Sequence, residues 1–168
     1  MTSPTPSSPA SPETTGTPPE TPDTPGAFDA LLREAMAGAE RFGHREHVRL
    51  TWLAVRRHGA DAALGLIADG IRRTATKAGA PQKFHVTMTR AWVELVAHHL
   101  AAHHTHRTHH THRADGAPDF EEFVGRHPLL DKELLARHYR PGTLASEQAR
   151  TTWVEPDLAP FPWAAQRS

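Results

Sequence analysis

FGHREHVRLTWLAVRRHG, residues Phe42–Gly59, decides the reading of this chain. At about 100° per residue, Arg45, Glu46, Arg49, Arg56 and Arg57 fall on one face of a helix. Val48, Thr51, Trp52 and Val55 fall on the other, and His44 and His47 lie beside Val48 and Thr51 on that apolar side. The pattern predicts a helix from about His44 to Arg57, stopped by Gly59, with Gly43 interrupting or bending the helix before it.

Helical periodicity continues on both sides. Upstream, Phe28, Leu31, Leu32, Ala35, Met36 and Ala39 form an i, i+3, i+4, i+7, i+8, i+11 stripe. Downstream, Leu64, Ile67, Ala68, Ile71 and Ala75 make a third stripe, with Asp61 as the expected N-cap and Gly79 and Pro81 as the end. A fourth helix is expected from about Lys83 to Ala102, its stripe reading His85, Met88, Thr89, Trp92, Val96, His99 and Leu100, with Glu94 solvated on the far side. Short helices are expected after Asp119, Asp131 and Ser146. The prolines beyond Trp153 favour an extended strap anchored by Trp153, Phe161 and Trp163. With no strand-length alternation and no internal repeat, the fold class is all-α: about four main helices, short C-terminal helices and a Pro-rich strap.

Residues 1–26 are different. They hold eight of the fifteen prolines and eleven Ser or Thr, and no Leu, Ile, Val, Phe, Trp or Tyr. With nothing apolar to bury, such a segment cannot offset the entropy of ordering, so a disordered tail is expected ahead of a single domain over 27–168. The tail lacks the basic start and apolar run of a secretory signal. Its only charges are Glu13, Glu20 and Asp23, which leaves the body at about +3 from a chain of 19 basic and 19 acidic residues. That balance argues against nucleic-acid and membrane partners. No cysteine is present, which excludes disulfides and thiolate chemistry and makes the cytoplasm the expected compartment.

The chemistry-bearing constellation is His44-x-x-His47 together with His85. Residues three apart on a helix have Cβ atoms ~5–6 Å apart, so two imidazoles can reach one ion, and an inward histidine of the fourth helix could complete the set. Three neutral imidazoles leave coordination open for water or substrate. A divalent transition metal (iron, zinc, copper or nickel) would suit such ligands. Glu40, four residues before His44, is placed to serve as a further ligand, as an acceptor for an imidazole N–H, or as a general base. Thr87 and Thr89 could position water or substrate. On this reading the chain is a metalloprotein enzyme that activates water or dioxygen against a small-molecule substrate.

Two other readings stand beside it. Residues 98–112, HHLAAHHTHRTHHTH, hold eight histidines. They are either a polar connector or a loose zinc, nickel or copper site, which would make the protein a metal chaperone or buffer. Alternatively the inward histidines are hydrogen-bonded core residues of a metal-free binding module, with Thr51 and Thr89 one turn from His47 and His85 as partners. No GxSxG elbow, phosphate-binding glycine loop or GxGxxG is present.

Three segments, FGHREHVRLTWLAVRRHG, KFHVTMTRAW and HPLLDKELLARHYRPGTLASEQARTTWVEPDL, resemble a family of small bacterial helical proteins. Its members share an F-x-H-x-x-H helix start, an aromatic-His-x-Thr-x-Thr segment and a W-V-E-P-D-like end. The resemblance spans about residues 28–160. It is carried by Phe42, His44, His47, Trp52, Phe84, His85, Thr87, Thr89, Asp131, Lys132, Trp153, Glu155 and Asp157. It implies that His44, His47 and His85 belong together and adds no reaction.

Overall fold

Seven buried residues in a run of eight, broken only by Arg49, leave a helix little choice but to be central. In the computed structural model, α2 (His44–His58) buries Val48, Leu50, Thr51, Trp52, Leu53, Ala54 and Val55. The model describes residues 25–107 and 119–164, with the side chains of Pro25 and of residues 103–107 excluded. The sequence reading gave α2 one apolar face. It buries more because three helices surround it: α1 (Pro25–Ala35), α3 (Ala60–Lys77) and α4 (Val86–Arg107). All the described elements are helical, and one core takes in residues from Phe28 to Phe161. No helix of the described residues is long and apolar enough to cross a membrane.

Several boundaries differ from expectation for local reasons. The first stripe outlasts its helix: α1 ends at Ala35, and Met36–Gly38 form a turn closed by Gly38 at φ 84°. α3 is capped by Gly59, whose φ of 80° turns the chain out of α2 directly into α3, so Asp61 sits in the first helical turn. Pro81–Lys83 form a 3-10 turn, which delays α4 to Val86. Asp119 does cap α5 (Phe120–Arg126) by accepting from the Glu122 N–H, and Ser146 caps α7 (Glu147–Thr151) by accepting from the Ala149 N–H. Asp131 accepts from the Glu133 N–H ahead of a 3-10 turn over Leu134–Arg137. α6 (Pro141–Ala145) starts on its proline. Glu94 is only half-exposed and accepts from Arg90 at 2.6 Å.

The strap lies where its aromatics can stack. The Phe161 and Trp163 rings are 4.7 Å apart and nearly parallel, and Trp153 stacks on Phe161 at 6.3 Å. Thr87, fully buried near the start of α4, fastens it: its hydroxyl donates to the Thr152 carbonyl at 2.7 Å and accepts from the Val154 N–H at 3.1 Å. Tyr139 donates to the Val154 carbonyl at 2.8 Å. The expected leader falls almost wholly outside the described residues, as does the connector over 108–118.

α1 crosses α3 at a glycine. A Cβ on Gly70 would stand 2.0 Å from the ring of Phe28, which is itself 2% exposed and cannot swing aside. Gly70→Ala should therefore destabilise the protein by about 1–3 kcal/mol, the usual cost of overpacking. Denaturant melts of the two proteins check this, and an unchanged midpoint would show that α1 can shift away from α3.

Candidate functional site

The start of α2 and the start of α4 come together around a cleft of about 530 Å³. His44 and His47 reach it from α2, Ile71 from α3, Lys83 from the 3-10 turn, and His85, Met88, Thr89 and Trp92 from the N-terminal part of α4. All three histidines singled out in the sequence line this one space, and so does Thr89. Thr87 and Glu40 do not. Thr87 is committed to the strap. Glu40 is exposed in the bend between α1 and α2, because the chain leaves helical register there and Gly43 resumes it in an extended conformation. The carboxylate with a role at this helix start is Glu46, which accepts from the Gly43 N–H at 2.9 Å. Those backbone hydrogen bonds hold Glu46 below the usual carboxylate range.

The three imidazoles are not equivalent. His85 stands immediately before α4. Its Nδ1 accepts from the Met88 N–H at 3.2 Å, an N-capping bond, and its Nε2 faces the Leu144 carbonyl at 2.8 Å. A carbonyl only accepts, so Nε2 carries the proton and the ring is a neutral tautomer with both nitrogens engaged. Its partners are backbone groups, not the threonine hydroxyl that the sequence suggested. His44 meets the Leu130 carbonyl through Nε2 at 3.0 Å and packs edge-on against Trp92 at 4.8 Å. Thr51 donates to the backbone carbonyl of His47 at 2.9 Å and leaves its ring untouched.

His47 is the exception. Its Nε2 is buried and has no hydrogen-bond partner among the described residues. Burial, with the neighbouring His44 as a smaller cause, pushes its pKa down to about 4. At neutral pH the ring is uncharged, polar at one edge and unsatisfied.

An ion held by three imidazoles needs three free ring nitrogens, and His85 has none to give. Among the described residues no group of three or more His, Asp or Glu is placed to hold an ion. The set His44, His47 and His85 does not fit the metal centre its spacing suggested. The second histidine concentration is described only at its start. His98 packs its ring on Trp163 at 5.5 Å, and His99 meets His127 at 4.8 Å. Burial first, then the nearby His127 and His98, lower His99 to about 4. Side chains 103–112 lie outside the described residues.

Compared with family models, curated proteins and solved structures, the chain matches none. The likeness carried by the F-x-H-x-x-H, His-x-Thr-x-Thr and W-V-E-P-D-like segments therefore rests on those residues alone. Sequence reasoning passed over Lys83, Ile71 and Met88. Ile71 and Met88 stood on predicted stripes as core positions, and nothing local marks a lone lysine before a helix as a cleft residue.

Two outcomes follow. His85→Ala removes both a helix cap and the tie to Leu144, so it should cost about 1–3 kcal/mol of stability, and His85→Asn, which can still cap, should recover part of it. Because the native His47 ring resists protonation down to about pH 4 while an unfolded imidazole titrates at 6.5, the unfolded state binds more protons between those values. Stability should then fall as pH drops through that window, with His47 contributing on the order of 3 kcal/mol. Chemical denaturation at several pH values should show a shallower fall in His47→Phe, the remainder coming from groups such as His99. An identical slope would place His47 in water.

Proposed function

We propose that this protein is a metal-free helical binding module for a small organic molecule, held in the cleft between the starts of α2 and α4 with His47 as its polar anchor. The observation that carries this reading is the buried, unpartnered Nε2 of His47, a residue that lines a cleft large enough for a ligand. A buried polar atom left unsatisfied costs ~1–3 kcal/mol, and a ligand that supplies the missing hydrogen bond recovers that cost at the moment of binding. Cavities of this size, lined by apolar and aromatic side chains with a few polar groups, are the usual form of small-molecule sites. Met88, Trp92, Ile71 and Phe42 supply the apolar walls here.

The imidazole chemistry favours binding over acid–base catalysis. A general base works best with a pKa near the operating pH, and burial takes His47 well below it. His44 and His85 are already spoken for on at least one nitrogen, which suits them to shaping the cleft. The metalloenzyme reading would need another donor beside His44 and His47, and the chaperone reading rests on residues 98–112.

The test uses 4-propylphenol, an uncharged probe with an apolar tail and a hydroxyl that can donate or accept. Titrated into protein labelled with 15N-histidine, it should shift the His47 ring resonances saturably and raise the melting temperature, since a ligand bound only by the folded state adds stability. EDTA should leave the melting temperature of the purified, untagged protein unchanged. A saturable probe that binds His47→Phe equally well would overturn the anchoring role. A melting temperature that drops with EDTA and returns with one equivalent of zinc would favour a metal centre instead.

A further inference from the structure

The His47 cleft does not end at Phe42. A second cavity of about 400 Å³ runs between α1 and the C-terminal half of α3, and Phe42, Ile71 and Lys83 line both. The two spaces are therefore neighbours, with those three side chains at their common border. The second is apolar: Phe28, Leu32, Met36, Leu50, Ala75 and Ala78 form its walls. Two of its lining side chains carry polar atoms. One is Thr74, whose hydroxyl is already donated to the Gly70 carbonyl at 2.9 Å, and the other is Lys83.

The charge at the junction is one-sided. Among the described residues no carboxylate lines either cavity, and Lys83 enters none of the ion pairs. Glu46, close by in sequence, is tied back to the Gly43 N–H. Arg72, over the ring of Phe84 beside Lys83, is already paired with Asp69 at 3.1 Å, so the unmatched charge is that of Lys83. An apolar cavity thus borders a cleft with an unmatched ammonium between the two and a buried, unsatisfied imidazole nitrogen on the cleft side. Those groups are complementary to an anion with a hydrocarbon body and to nothing with a cationic head.

We infer that the ligand is an amphipathic carboxylate whose alkyl or aryl body fills the cavity between α1 and α3 and whose carboxylate sits at the junction between Lys83 and His47. This rests on the reading of the cleft as a small-molecule site and names what that site takes. The two groups divide the work. Lys83, exposed at the rim, selects for negative charge. His47, inside, selects for an oxygen that can share a hydrogen bond. The apolar walls supply most of the affinity.

Calorimetric titration of the full chain with octanoate, decanoate and 1-decanol tests it. Decanoate should bind more tightly than octanoate by about tenfold, since each buried methylene adds ~0.8 kcal/mol. It should also bind more tightly than decanol. Lys83→Met should weaken decanoate by about fivefold and leave decanol unchanged, the scale expected of one exposed charge pair. Ala78→Phe, at the exposed C-cap of α3, should abolish the gain from octanoate to decanoate by filling the cavity, with an unchanged melting temperature as the check that the fold is kept. Decanol and decanoate binding equally, with no effect of Lys83→Met, would overturn the carboxylate assignment. If 4-propylphenol binds through His47 and decanoate does not bind, the inference fails while the reading of the cleft stands. If neither binds, both fall.

Discussion

Helix α2 is closed in by three neighbours, and nearly everything else in the molecule follows from that enclosure. A helix surrounded in this way has no room for water along its apolar length, so side chains from Val48 to Val55, Arg49 apart, are packed from several directions. The enclosure is possible because α1 can approach α3 at Gly70, where Phe28 occupies the space of a missing side chain. It also sets the environment of His47, one residue before the packed run begins. The same burial that stabilises the bundle strips that imidazole of solvent and offers it no partner in return.

The three histidines illustrate how one residue type divides among different tasks according to what lies within reach. Where backbone is close on two sides, as at His85, the ring becomes a bridge between a helix start and a distant carbonyl. Where one carbonyl is close, as at His44, it becomes a tie between α2 and the segment after α5. Where none is close, as at His47, the unsatisfied nitrogen becomes the feature around which recognition can be built. Spacing along a helix determines which residues share a face. The surrounding chain determines which of their atoms remain free.

That distinction explains what could be read from the sequence and what could not. The helical class, the limits of α2, the caps at Asp119 and Ser146, and the aromatic anchoring of the strap all depend on local pattern, and local pattern displayed them. The convergence of His44, His47, His85 and Thr89 on one cleft was visible as a shared apolar side on two helices. The engagement of His85 was not, because its partner Leu144 is 59 positions away. Glu40 looked one turn from His44 only while the helix was imagined to continue through Gly43. Thr87 seemed available for chemistry until residues 152–154 arrived beside it.

The Thr87 hydroxyl has a bearing on how the chain reaches its final form. Its two partners are supplied by residues 65 and 67 positions later. A ribosome releases the chain from its N-terminus, so α1–α4 are available to collapse while the strap is still being made. Until then α4 carries an unmet hydroxyl at a position destined to be fully buried. The hydrogen bonding of α4 is thus completed only once residues 152–154 have followed it, and until then that hydroxyl lacks the partners it has in the folded protein.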